Sequence, residues 1–205
     1  METLMIENPY PNWFNSLAVK NFAVVLLKEF RKDESLRFLQ IGAYTGDASR
    51  WMLDHVLGPQ GLLVDVDTWE GSDEPAHHEM DFKHVEEIYD DAIMENYTNV
   101  VKCKMTSADY LMKAPAEKFD FIYIDGDHTS AQVMEDAILA WRALKPGGIM
   151  AFDDYGWHVA GKSLIETPAP AIDFFLILRG ESAEKIWVPE NYQVWIRKVG
   201  TVDKK

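Results

Sequence analysis

Apolar positions along this chain alternate between a helical period and short continuous runs. From Leu17 to Arg31 they fall at Leu17, Val19, Phe22, Val24, Val25, Leu26, Leu27 and Phe30. That spacing predicts a largely buried helix, ended by the polar run Arg31-Lys-Asp-Glu34. Short apolar runs follow at Arg37–Ile41, Leu62–Val66, Val100–Lys104, Phe121–Ile124 and Ile149–Phe152, each the length of a strand. Helical patterns separate them at Asp47–Leu57, closed by Gly58-Pro59, and at Ser130–Leu144, which Lys145-Pro-Gly-Gly148 stops. The second of these places Val133, Ala137, Trp141 and Leu144 on one face. Glu70–Asn99 reads as a polar, acidic insertion with a helix around Phe82–Tyr97. After Tyr155 the pattern changes to a helix near Ala171–Arg179 and two antiparallel strands, Lys185–Val188 and Tyr192–Lys198. Strands alternating with helices predict a mostly parallel sheet wrapped by helices.

The ends of those strands carry the chemistry. Ile122-Tyr-Ile-Asp-Gly-Asp-His-Thr129 and Lys145-Pro-Gly-Gly-Ile-Met-Ala-Phe-Asp-Asp-Tyr155 both run from an apolar strand straight into aspartates. Parallel strands of an open sheet place their carboxyl ends side by side, where ligands bind. Asp125, Asp127, Asp153 and Asp154 should therefore converge. Carboxylates forced together repel unless a positive charge lies between them, and their oxygens suit a hard divalent cation. Phe38-Leu-Gln-Ile-Gly-Ala-Tyr-Thr-Gly46 adds a strand, a two-glycine turn and a helix start, which suits a nucleotide-cradling device and equally a tight turn. Its spacing is not the G-x-G-x-x-G of dinucleotide enzymes. Asp67 ends the second strand about 20 positions after the glycine turn, where a carboxylate grips a ribose diol, and Asp65 points to the same side. Thr68 and Trp69 follow. Trp69 could stack on an adenine, shape a pocket or pack in the core. In Met105-Thr-Ser-Ala-Asp-Tyr110, Ser107 could meet an adenine ring, and Ser107 with Asp109 also reads as a helix start.

Composition narrows the partners. The chain has 205 residues, 47% hydrophobic and 26% charged, which fits one α/β domain with a sizeable core. The formal net charge of −14, with no basic run, disfavours a nucleic-acid binder and any general affinity for anionic membranes. The Lys pair at the C-terminus reads as a solvated tail. The one cysteine, Cys103, reads as a small buried strand residue. The first residues lack the basic start and apolar run of a signal peptide, and no stretch reaches the roughly 18 apolar residues of a membrane span. The expected location is cytoplasmic.

Together these segments resemble the class I S-adenosylmethionine-dependent methyltransferases over roughly residues 17–198. The resemblance is most specific at Ile124-Asp-Gly-Asp-His128 and at Lys145-Pro-Gly-Gly148 followed by Asp153-Asp-Tyr155. That pair is similar to the subgroup of macrocin-type sugar O-methyltransferases and cephalosporin-hydroxylase-like proteins, with catechol O-methyltransferase more distant. The resemblance implies one domain over residues 1–205, with residues 1–35 an N-terminal helical segment and 70–99 an insertion or lid. It implies a Rossmann-like three-layer sandwich with a seven-stranded, mostly parallel sheet whose last strand is antiparallel. S-adenosylmethionine would contact Gln40, Gly42, Ala43, Tyr44, Gly46, Asp67, Thr68, Ser107 and Asp125. Mg²⁺ or another hard divalent cation would sit on Asp125, Asp153 and Asp154. Members of the group are often homo-oligomers, so a homodimer is compatible, with Tyr10–Phe14 a candidate contact. One departure is Gln40, where the family usually carries an acid that orients the charged amino-acid part of the cofactor.

The activity this implies is in-line methyl transfer to an oxygen of a small hydroxylated molecule such as a sugar or secondary metabolite. An ion on adjacent acceptor oxygens would lower their pKa. His128, with Asp125, is the catalytic candidate, since its imidazole titrates near neutrality beside the metal edge; the alternative is a histidine bonded locally at a helix start. Asp127 reads more as a helix cap than a ligand. His77, Asp81 and His84 could recruit a second metal, although a solvated acidic lid fits them better, and His77 or His78 could touch substrate. Trp157 and His158 are placed to line the pocket, whereas Trp13, Trp51, Trp141, Trp187 and Trp195 read as packing residues. Specificity would lie in 70–99 and 156–170. The competing readings are another Rossmann-type metal-dependent enzyme and a non-catalytic cofactor-binding module, the latter favoured by Gln40 alone.

Overall fold

A computed structural model describes residues 6–158, 161 and 163–200. The Lys204 and Lys205 tail and positions 159, 160 and 162 of the segment expected to set specificity lie outside the described residues. A π-helical turn, Phe14–Ala18, leads into α1 (Val19–Glu29). There follow β1 (Arg37–Ile41), α2 (Asp47–His55), β2 (Leu62–Asp67), α3 (Phe82–Tyr89), β3 (Val100–Lys104), α4 (Ser107–Leu111) and β4 (Phe119–Ile124). The chain ends with α5 (Ser130–Ala143), β5 (Leu144–Phe152), α6 (Ala169–Arg179), β6 (Ala183–Ile186) and β7 (Val194–Lys198).

The seven strands form one sheet in the order β3-β2-β1-β4-β5-β7-β6. β7 runs antiparallel to both β5 and β6, and the pairs from β3 to β5 are parallel. This is the expected Rossmann-like sheet with its last strand reversed. Helices cover both faces through two apolar layers. One joins Phe22, Phe38, Met52, Phe121 and Trp195. The other joins Leu39, Ile122, Trp141, Phe152 and Phe175. Phe22 lies edge-on to Phe121, Tyr123 and Trp195 with ring centroids 4.9–5.8 Å apart, which locks α1 onto the sheet.

Several boundaries differ from the periodicity, each for a local reason. α5 stops at Ala143, ahead of Lys145-Pro-Gly-Gly148 as expected, but β5 begins at Leu144 instead of Ile149, with a register irregularity opposite Phe119–Phe121 absorbing these residues. The helix around Phe82–Tyr97 divides into α3 and a π-helical turn, Asp90–Met94. α5 is capped by Thr129, whose side chain accepts from Gln132 N, and Asp127 makes an Asx contact with Thr129 N just before it. Thr106, not Ser107, caps α4. Trp187 is 77% exposed and does not pack. Cys103 is half-buried in β3.

Asp65 lies within β2, on the side of the strand that packs against α3. It is fully buried, takes a 2.7 Å hydrogen bond from Tyr89 Oη, and leaves Oδ1 without a hydrogen-bond partner. Burial, outweighing the hydrogen bonds it accepts and reinforced by the charge of Asp67, pushes its pKa from 3.8 up to about 7. As pH rises between these values the unfolded chain releases a proton that the folded chain keeps, so stability falls across that window and levels off above it. Asp65→Asn should remove the part of this slope that Asp65 contributes, roughly 4 kcal/mol at most across the full window and about 2–3 kcal/mol between about pH 5 and about pH 8. Thermal unfolding of both proteins at about pH 5 and about pH 8 checks it; parallel losses in the two would refute the assignment.

Candidate functional site

The carboxyl ends of β1, β2, β4 and β5 open into a cavity of about 630 Å³. Its floor is the turn between β1 and α2. Gly42 has φ +84°, and a Cβ there would lie 1.8 Å from the backbone oxygen of Asp125. Only glycine lets the β1 and β4 ends approach this closely. Gly46, at φ +88°, stands where α2 begins, and its N–H bonds to Ala43 O at 2.9 Å. Asp67 holds the turn in place. Its Oδ2 accepts from Ala43 N at 2.7 Å and Tyr44 N at 2.9 Å, and its Oδ1 accepts from Trp69 N at 2.8 Å. A carboxylate has about four acceptor positions, so Asp67 keeps capacity for a ligand hydroxyl while lining the cavity.

Gln40 is 1% exposed beneath this turn. Its amide donates to Gly42 O at 2.8 Å and its carbonyl accepts from Ser49 Oγ at 3.1 Å. A carboxylate could not donate to Gly42. The glutamine thus places a neutral bond that holds the turn where a carboxylate would place a charge.

The acidic edge gathers around His128. Asp125, His128 and Asp154 each bring a ligand atom within 4.8 Å of the others, the one such group among the described residues that could hold a metal. His128 Nε2 is 2.8 Å from Asp154 Oδ2. Its Nδ1 is 3.1 Å from Glu74 Oε1, close enough for ion pairing but off line for a hydrogen bond. Burial opposes a charged imidazole, yet Asp154 and Glu74 together outweigh it and hold the His128 pKa well above its ordinary value. Burial likewise opposes ionisation of Glu74, but His128 and Ser72 bring its pKa down to about 2. Asp153 faces inward. Its Oδ2 accepts from Tyr123 Oη and its Oδ1 from Asp154 N at 2.8 Å. Burial, then the charge of Asp154, raises its pKa to about 6. Burial, followed by Asp153 and Asp154, raises that of Asp125 well above the carboxylate range.

The other expected residues divide. Ala43, Tyr44, Thr68, Ser107 and Asp127 line the cavity, as do His77 and Trp157. Trp69 is 3% exposed, gives its indole N–H to Tyr44 O, and packs on Tyr89, so it is a core residue. Asp81 caps α3 and His84 pairs with Glu87, so these two do not join His77 in a metal group. Trp13, expected to pack, stacks on Tyr44 at the cavity wall with centroids 5.1 Å apart. Tyr10 meets Tyr44 and His84 of the same chain, which occupies part of the segment read as a subunit contact. Sequence reasoning missed Glu74, Tyr192, Gln132 and Asp136, all of which line the cavity. Gln132 Nε2 donates to Asp136 Oδ1 at 3.2 Å, and burial raises the Asp136 pKa to about 6. Their helical spacing was visible, but nothing in it distinguished a pocket face from a solvent face.

The cavity fits an adenosyl ligand: it has the volume of a small-molecule site, a glycine-floored helix start and a carboxylate at the β2 end. Two carboxylates and an imidazole are also a reasonable donor set for a divalent ion. A family model described as a methyltransferase domain matches residues 39–155, more than half of the chain. The chain belongs to this family and is an S-adenosylmethionine-dependent methyltransferase. It is similar in fold to a Corynebacterium glutamicum protein, with TM-score 0.63 and 16% identity over 94% of this chain and 83% of that one. It is likewise similar to TomG of Streptomyces achromogenes, an O-methyltransferase of tomaymycin synthesis solved in complex with SAM, with TM-score 0.61 and 18% identity over 88% and 79% of the two chains. MycE, a mycinamycin-pathway methyltransferase solved with Mg, SAH and mycinamycin VI, gives TM-score 0.58 and 16% identity over 96% of this chain and 52% of its own. No curated protein sequence matches the chain. No described helix is long and apolar enough to cross a membrane.

Proposed function

We propose that this chain is a divalent-metal-assisted O-methyltransferase of a small hydroxylated molecule. The observation that carries the reading is the joining of the Gly42–Tyr44 turn and Asp67 to the Asp125, His128 and Asp154 edge within one cavity; Gly46, expected among the cofactor contacts, faces Tyr89 and Ile93 instead. Two structural neighbours, TomG and MycE, are methyltransferases of small-molecule synthesis, and MycE was solved with Mg, which supports the same reading. The described residues act as a single domain, and the expected lid contributes Gly71, Ser72, Glu74, Ala76, His77 and Phe82 to the cavity lining.

S-adenosylmethionine would lie over the Gly42–Gly46 turn, with its ribose at Asp67 and its adenine toward Ser107. Bound there it supplies an activated methyl group, and the ion supplies a Lewis acid for the acceptor oxygens. Asp125 and Asp154 would hold the ion, with Asp153 reaching it only if it releases Tyr123. The remaining work of the protein is orientation and water exclusion, which convert an intermolecular reaction into a positioned one. His128 Nε2 is the side-chain atom placed to take the acceptor proton. Between Glu74 and Asp154 it already carries one, so it becomes a base only when the charge of Asp154 is engaged elsewhere.

The test is methyl transfer from S-adenosylmethionine to a panel of hydroxylated acceptors, with and without EDTA. Activity should be lost on chelation and restored by Mg²⁺ or Mn²⁺. Asp154→Asn should lower it by roughly a hundredfold or more with cofactor affinity unchanged within about threefold. Full activity in EDTA would remove the metal from the reading.

A further inference from the structure

The lining of the cavity carries information about the charge of the acceptor. Eight carboxylates border it and, among the described residues, no Lys or Arg does. Its two imidazoles give no free cation either. His128 is already placed between Glu74 and Asp154. His77 Nδ1 accepts from Ser72 N at 3.1 Å, and burial lowers its pKa. A phosphate or carboxylate entering this space would give up its water shell beside groups of its own sign.

The carboxylates are not all used by the cofactor and the ion. Asp67 is tied to three backbone N–H groups, Asp153 to Tyr123 and Asp154 N, and Asp136 to Gln132. Asp125 and Asp154 form the metal edge. Asp127 accepts from Thr129 N at the start of α5. Asp47 and Glu74 remain, and each is linked to an aromatic ring through one intervening residue. Asp47 is bonded at 2.9 Å to Asn12, the residue before Trp13, and Trp13 stacks on Tyr44. Glu74 faces His128, whose ring packs 4.9 Å from Trp157. Tyr192 borders the cavity close to Gly156, where a Cβ would lie 2.9 Å from its ring. Faces of Trp and Tyr attract cations, and a carboxylate alongside adds to the attraction.

We infer that the methyl acceptor is a hydroxylated amine, bound as its ammonium form, and that phosphorylated or carboxylated acceptors are rejected. This rests on the methyltransferase reading and specifies the substrate class of the same cavity. The probes are two matched series: dihydroxyphenylethylamine, dihydroxyphenylacetamide and dihydroxyphenylacetate; and glucosamine, N-acetylglucosamine and glucuronate. Each is titrated calorimetrically into the full chain holding S-adenosylhomocysteine and Mg²⁺. The amine should bind about tenfold or more tighter than the acid in at least one series, with the neutral member between them. Glu74→Gln and Asp47→Asn should narrow the gap between amine and acid. Equal affinities, a reversed order, or no amine binding while S-adenosylhomocysteine binds would each overturn the inference. Failure of S-adenosylhomocysteine itself to bind would instead strike the methyltransferase reading beneath it.

Discussion

Replacing Gly42 by alanine should be the most damaging single change near the site. The new Cβ would lie 1.8 Å from Asp125 O and 2.5 Å from the Asp125 carbonyl carbon, and the residue would keep a φ of +84°. Backbone, not a flexible side-chain end, stands in the way, so β1 and β4 must separate at their carboxyl ends. The left-handed conformation costs about 1–2 kcal/mol, and the clash adds several more, a large fraction of the roughly 5–15 kcal/mol that stabilises a domain. Because the displaced backbone belongs to Asp125, metal and cofactor affinity should fall together with the melting temperature. Thermal unfolding and S-adenosylhomocysteine titration check both. A variant that melts within about 2 °C of the wild type would show that the turn is not held as described.

Asp67→Ala should abolish cofactor binding with a smaller cost to the fold. It leaves the N–H groups of Ala43, Tyr44 and Trp69 without their acceptor and frees the glycine turn. Hydrogen bonds to a charged group contribute about 1.5–3 kcal/mol each, so a loss of roughly a hundredfold or more in S-adenosylhomocysteine affinity is expected. Asp67→Asn keeps an acceptor for part of this set and should fall between the two. Calorimetry on the folded variants decides the matter. Affinity for S-adenosylhomocysteine unchanged in Asp67→Ala would mean that the cofactor does not use the β2 end.

These two residues also show how function was legible in the sequence. Gly42 and Asp67 sit at positions that chain connectivity alone assigns: the first turn after the first strand, and the end of the second strand. Asp125 and Asp154 were assignable in the same way, because a parallel sheet brings strand ends together whatever the side chains do. Glu74 was not. It lies in a polar insertion whose path over the cavity depends on how Ser72, His77 and Phe82 pack, and no period in the sequence encodes that path. Trp13 escaped for the same reason, since an aromatic residue at a helix entrance looks alike whether it packs inward or lines a mouth.

The sequence by itself determined the strand and helix order, the glycine turn and the acidic strand ends, whereas the sheet with its last strand reversed was implied by the family resemblance. The first three follow from periodicity and connectivity, which are local. The tertiary structure alone decided which carboxylates point where. Asp153 turns inward to Tyr123 and its neighbour Asp154 outward to His128, Asp65 is buried against Tyr89, and Asp67, expected to grip a ribose diol, also ties down the glycine turn. Adjacent residues of like charge are indistinguishable in a one-dimensional pattern. What separates them is the desolvation cost and the hydrogen-bond donors that each meets, and those exist only once the chain has packed.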